Sequence, residues 1–171
     1  RFPVIYKKLG FILKPFVKIL LKKKIAQIKT IKDFQVIVAH FVKKMVETTT
    51  DGLELVGFDK LEKGKGYLFI SNHRDISLDP AFIDYALYKT GCDTVRIAIG
   101  DNLLRIPAAT SLMRLNRSFI VKRSIEAPRE KLKALTHLSN YIGLSIEENK
   151  SIWIAQREGR AKDGNDKTED A

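Results

Sequence analysis

The chain has 171 residues, 44% of them hydrophobic and 30% charged, with three histidines, one cysteine and a formal net charge of +11. That length and apolar content suit one packed domain with at most a small appendage, and exclude a disordered chain. One cysteine excludes an internal disulfide and suits a reducing compartment; Cys92, bracketed by no His or acid pattern, reads as an incidental or buried thiol.

The charge is concentrated at one end. Residues 1–48 hold twelve basic side chains against Asp33 and Glu47, and so carry +10 of the +11. In the same stretch Phe2, Ile5, Leu9, Ile12, Phe16, Ile19 and Leu20 recur every three or four residues with lysines between them, which predicts amphipathic helix. Pro15 should kink or divide it. A second periodic set, Ile25, Ile28, Ile31, Phe34, Ile37, Val38, Phe41 and Val42, continues to Met45. Helices that are apolar on one side and lysine-rich on the other lie in the headgroup region of an anionic bilayer, and each lysine there contributes on the order of 1 kcal/mol. A solvated basic face over a helix packed on the main domain is the plainer alternative. Nucleic acid attracts the same charge, but the segment has few arginines and no aromatic ladder, so no nucleic acid partner is expected. His40 reads as a packing residue. No secretory signal is visible, and no apolar run approaches the roughly 18 residues of a spanning helix.

Thr48-Thr49-Thr50-Asp51-Gly52 breaks this pattern and divides the chain into a basic helical segment, 1–48, and a second part, 49–171. Leu53 to Gly57 alternates like a strand, Glu62 to Gly66 makes a polar turn, and Tyr67 to Ile70 reads as a buried strand. A helix is expected over Ala81–Lys89, with Phe82, Ile83, Ala86 and Leu87 inward. Thr94–Ile99 should form a strand, and Leu103–Leu115 an apolar segment able to line a lipid pocket or to serve as an ordinary core helix. Ser118–Lys122 is a further strand and Glu126–Asn149 a long helix with His137 on its surface. Ser151–Ala155 is the last strand. Strands alternating with helices predict an α/β fold, a mixed sheet flanked by helices, whose chemistry gathers at strand ends.

Between the strand ending at Ile70 and the helix starting near Ala81 lies Ser71-Asn72-His73-Arg74-Asp75-Ile76-Ser77-Leu78-Asp79-Pro80. A histidine followed closely by two carboxylates at a strand-to-helix junction can act as a general base, its imidazole oriented by one of them. Turn formation by Asn72 and Asp75, and helix capping by Asp79 ahead of Pro80, would equally account for these residue types.

Asn72-His73 with a following aspartate resembles the first motif of the glycerolipid acyltransferase family, N-H and then, after four residues, D. Here Asp79 stands six positions after His73 and not five, so the orienting carboxylate is Asp79 through a longer turn, or Asp75. Arg117-Ser118-Phe119-Ile120-Val121-Lys122-Arg123 resembles the second motif, a strand ending in arginine. Gln156-Arg157-Glu158-Gly159-Arg160 resembles the third, F-P-E-G-T-R-S, in Glu158 and Gly159; the Phe-Pro pair and the Thr differ, and the arginine comes one place early. The likeness spans about residues 50–160. His73-Arg74-Asp75 also matches the H-R-D of a protein-kinase catalytic loop, but Pro80 stands where that loop needs asparagine.

The resemblance implies an O-acyltransferase of phospholipid biosynthesis: a fatty acyl group passes from acyl-CoA or acyl carrier protein to the free hydroxyl of a lysophospholipid. The first candidate acceptor is 1-acylglycerol-3-phosphate (lysophosphatidic acid), giving phosphatidate. His73 would be the base with Asp79 or Asp75 behind it. Asn72, Arg74, Arg123, Glu158, Gly159 and Arg160 would shape the substrate site, with Lys122 and Lys162 beside them. No metal and no cofactor beyond the acyl donor is implied. The expected location is peripheral, on the cytoplasmic face of a membrane such as a bacterial inner membrane. An acceptor that is another lysolipid or an aminolipid, and a non-catalytic membrane-surface module of the same fold, are the alternatives. The family continues beyond the third motif, so the 49–171 part is expected to be truncated at its C-terminus.

Overall fold

The computed structural model describes residues 18–19, 22–23, 25–101, 107–157 and 159–165. The chain divides into two compact units, residues 1–37 and 38–171. The helix expected over residues 1–17, with its kink at Pro15, lies outside the described residues, and no described helix is long and apolar enough to cross a membrane.

In the first unit the periodic set beginning at Ile25 is interrupted. Ile25 and Ala26 are helical, Gln27 turns, and helix α1 (Ile31–Thr49) starts afresh. The reason is a reciprocal cap. Thr30 Oγ1 accepts the Asp33 N–H at 3.1 Å, while Asp33 Oδ2 accepts the N–H groups of Thr30 at 2.9 Å and Lys29 at 3.0 Å.

In the second unit α1 buries Ala39, Val42 and Val46, a stripe at helical spacing, against Tyr85, with Leu53 and Phe82 packed around them. His40 lies off that stripe and is exposed, which corrects the packing role expected of it. Leu53 to Gly57 is not a strand. Leu53 is drawn onto the α1 stripe while Val56 is 81% exposed, so the alternation serves one anchoring side chain and no ladder. A short 3-10 helix, Phe58–Lys60, follows.

The remaining elements are strand β1 (Leu68–Ser71), helix α2 (Leu78–Thr90), strand β2 (Arg96–Gly100), helix α3 (Pro107–Leu115), strand β3 (Phe119–Val121), helix α4 (Pro128–Glu147) and strand β4 (Ile152–Ala155). They form the expected α/β sheet flanked by helices; where a mixed sheet was expected, the described pairings are all parallel, in the order β1-β4-β2-β3. Leu68 pairs with Ile152 and Ser71 with Ala155, while Arg96 pairs with Ile152 and Ala98 with Phe119.

One sheet face carries Phe69, Ile97, Ile99, Trp153 and Ala155, and packs on Ile83 and Leu87 of α2. The opposite face meets α4. Arg96 donates from Nη1 to Ser145 Oγ at 2.8 Å and lies over the Tyr141 ring, and the Phe119 and Tyr141 rings are 5.0 Å apart. Leu87, Val95 and Ile152 are essentially inaccessible, and burial of each such side chain is worth about 1.5–3 kcal/mol. Two glycines serve this packing. Gly91 ends α2 in the left-handed region at φ 73°, and Gly66 passes so close to α4 that a Cβ there would stand 2.8 Å from the Ile146 carbonyl.

With every described pairing parallel, the C-terminal strand ends share one edge. β4 enters between β1 and β2, so the segment leaving β4 runs beside the loop leaving β1. Residues distant in sequence meet there.

Candidate active site

The loop leaving β1 is built around one carboxylate. Asp79, in the first turn of α2, reaches back so that its Oδ2 accepts the backbone N–H groups of Arg74 at 2.8 Å and Asp75 at 3.0 Å. The same oxygen lies 2.9 Å from His73 Nδ1. Since Oδ2 already serves as acceptor, the proton of that third bond belongs to Nδ1, so that in the neutral imidazole Nε2 is the nitrogen with the lone pair. The extra residue between histidine and aspartate is taken up in this turn, which Asp79 closes from inside. Both side chains are 17% exposed, shielded enough to hold one geometry and accessible enough to exchange a proton.

Asp75 does something else. Its Oδ1 accepts the N–H groups of Ser77 and Leu78, each at 2.8 Å, which caps the start of α2. The Leu78 N–H, then the Ser77 N–H, hold its carboxyl below the usual range against a small opposing effect of burial, and the charges of Arg160 and His73 act in the same direction. The open choice of partner for His73 therefore falls to Asp79 in this geometry, and the helix cap expected of Asp79 is supplied by Asp75.

The segment leaving β4 supplies the other wall. Gln156 donates its backbone N–H to the Ser71 carbonyl at 2.9 Å and its side-chain Nε2–H to Asn72 Oδ1. Trp153 Nε1–H donates to Ser71 Oγ at 3.0 Å, and its ring meets the His73 ring edge-on at 6.2 Å. Farther along, the Ala161 N–H donates to the His73 carbonyl at 2.8 Å, and Arg74 Nη2 donates to the Gly164 carbonyl at 3.3 Å. Gly159 takes φ 79° in the turn between, and Arg160 is exposed there, its charge reaching Asp75. Glu158 lies outside the described residues.

Arg123 stands just past β3, at the same sheet edge but beyond β4 and β2, about 14 Å from β1 at roughly 4.8 Å per strand. Its loop is tied to the end of β2: Asp101 accepts the Ser124 hydroxyl at 2.7 Å and the Arg123 N–H at 3.4 Å. The structure thus brings Asn72, His73, Arg74, Asp75, Asp79, Gly159 and Arg160 into one cluster and leaves Arg123 across the edge from it. Trp153 and Gln156 belong to the cluster although sequence reasoning missed them. Their partners are 82 and 84 residues away, and the only available signal was Gln156 occupying a place where the third motif has phenylalanine.

Among the described residues no group of three or more His, Cys, Asp or Glu is placed to hold a metal ion. What the cluster offers is an imidazole held through Nδ1 by a carboxylate and flanked by cationic side chains at the C-terminal ends of the strands.

No curated protein matches the chain. A family model described as Acyltransferase matches residues 52–166, which covers β1 through β4 and every motif residue named above. On that match, and with the ordered motifs behind it, the chain belongs to the glycerolipid acyltransferase family.

Proposed function

We propose that this protein transfers a fatty acyl group from an acyl thioester, acyl-CoA or acyl carrier protein, to the free hydroxyl of a lysophospholipid. The first acceptor to test is 1-acylglycerol-3-phosphate, which would give phosphatidate. The observation that carries the reading is the His73 Nδ1 to Asp79 Oδ2 bond of 2.9 Å at the parallel strand ends. His73 Nε2 takes the hydroxyl proton as the oxygen attacks the thioester carbonyl. A C–O ester bond forms, the C–S bond breaks, and the thiolate leaves with the proton returned from His73. No acyl-enzyme is needed, because the thioester is already activated and the remaining task is alignment of two bound substrates. Asp79 holds the imidazole as the Nδ1–H tautomer and faces the imidazolium that forms.

Arg160, Arg74 and, from across the edge, Arg123 are the phosphate-binding candidates, since guanidinium engages phosphate through paired N–H groups. Asn72, Glu158 and Gly159 would shape the acceptor site. The basic segment 1–48 supports a peripheral place on an anionic membrane, at the cytoplasmic face, with residues 49–171 as the acyltransferase domain.

The test is incubation with vesicles containing 1-acylglycerol-3-phosphate and an acyl-CoA, with phosphatidate measured by mass spectrometry. His73→Ala is expected to lower turnover by about 10²–10⁴ while thermal unfolding stays near that of the parent. Vesicle binding without product from any thioester and lysolipid pair would replace this reading with the non-catalytic module.

A further inference from the structure

The end of β1 and the loop leaving it are tied to the segment leaving β4 at Ser71, Asn72, His73 and Arg74, and Gln156 makes two of those ties. Gln156 extends the β1–β4 ladder by one bond, N–H to the Ser71 carbonyl at 2.9 Å, and its amide then reaches Asn72 Oδ1. Next in the chain is His73, whose carbonyl accepts the Ala161 N–H and whose ring is bonded to the Asp79 carboxylate and in T-shaped contact with the Trp153 ring. Asp79 fixes the ring and, through the Arg74 N–H, the peptide that follows His73, whereas the bond from Gln156 falls on Asn72, the residue that precedes it. The loop between His73 and Asp79 is one residue longer than the family pattern, which gives that backbone an added pair of torsions. The third motif normally places phenylalanine where this chain has Gln156, and phenylalanine has no donor to offer.

We propose that Gln156 is a positioning residue for His73, acting through Asn72, and that its amide compensates for the longer histidine-to-aspartate turn. It touches neither substrate. Its effect is to hold the Asn72–His73 peptide so that the imidazole keeps its bond to Asp79 while Nε2 faces the acceptor hydroxyl. The inference rests on His73 being the base, but its structural part can be read without turnover.

The experiment uses protein with ¹⁵N-labelled imidazoles. There are three histidines, and His73→Ala assigns the signal of interest. In the parent His73 is expected as the Nδ1–H tautomer. In Gln156→Met, which keeps side-chain length and removes the donor, the His73 nitrogens should move toward tautomeric averaging while His40 and His137 stay in place. In the vesicle assay the same variant should lose about ten- to a hundredfold in kcat with KM changed less than twofold, the signature of a misplaced base. Introduced on an Asn72→Ala background, Gln156→Met should cost nothing further. If Gln156→Met does not fold, Gln156→Glu decides, because its carboxylate can accept from the turned Asn72 amide and should keep the parent His73 signal. An unchanged His73 spectrum in Gln156→Met, a displaced one in Gln156→Glu, or full additivity with Asn72→Ala would overturn the proposal. Absence of turnover in the parent would count against the proposed function and leave the spectral result to decide the role of Gln156.

Discussion

Helix α2 carries two aspartates five residues apart, and its first turn and its middle treat the same side chain in opposite ways. Asp79, in the first turn, collects N–H groups from Arg74, Asp75 and His73 on one oxygen. Asp84, mid-helix, is 8% exposed and is met by the Val95 N–H at 2.9 Å and the Asn116 amide at 3.3 Å. Burial pushes its carboxyl up to about 7, against the pull of Val95, Asn116 and the Arg117 charge. A carboxylate supplied with converging donors becomes a fixed acceptor able to set a histidine tautomer. Placed in the interior with too few donors, it holds its proton near neutrality and ties α2 to the start of β2. The environment, and not the residue type, divides orientation in the first turn of the helix from anchorage at its middle.

The sharpest break of this comparison is at the loop end. Asp79→Asn should lower kcat by about 10²–10⁴, because the amide can present its NH₂ to His73 and disturb the tautomer. Its carbonyl can still accept from Arg74 and Asp75, so thermal unfolding should move little; a kcat within threefold of the parent would remove Asp79 from the mechanism.

At buried Asp84 the expected effect is on stability against pH. The native Asp84 carboxyl, at about 7, stands above its ordinary value of 3.8, so between those values the folded state binds more protons than the unfolded one. Its contribution is therefore fully present below 3.8 and is lost as pH rises through about 7, a change of up to about 4 kcal/mol. Asp84→Asn should flatten that slope in denaturant titrations between pH 5 and 8 and should gain on the parent at the alkaline end. Parallel curves for the two proteins would show that Asp84 is ionised throughout.

The smallest effect belongs to the cap. Asp75→Ala should cost about 1 kcal/mol in unfolding free energy, the usual loss of a helix cap, with kcat reduced less than tenfold. A loss as large as that of Asp79→Asn would return Asp75 to the pairing with His73.

Much of this could be read from residue order. The strands at Tyr67–Ile70, Thr94–Ile99, Ser118–Lys122 and Ser151–Ala155 each fall within one or two residues of β1 to β4, because short apolar runs bounded by polar turns have few other solutions. The expected helices starting at Ala81 and Glu126 are α2 and α4 with shifted ends. The loop carrying His73 was visible from its polar cluster. Leu53 to Gly57 misled, since alternation records which side chains are apolar and not whether a neighbouring strand exists. Asp84 passed unnoticed inside an apolar helix pattern, for nothing local distinguishes a surface aspartate from one covered by β2 and Asn116.

By itself, then, the sequence determined the order of the elements, the basic character of residues 1–48 and the family's motif residues, all of which depend on neighbours close along the chain. Only the tertiary structure decided that Asp79 and not Asp75 meets His73. It alone set β4 between β1 and β2, so that Trp153 and Gln156 brace the histidine loop from more than 80 residues away. The physical reason is that strand order and hydrogen-bond direction are settled by the packing of the whole sheet between α2 and α4, and no segment of the chain carries that information alone.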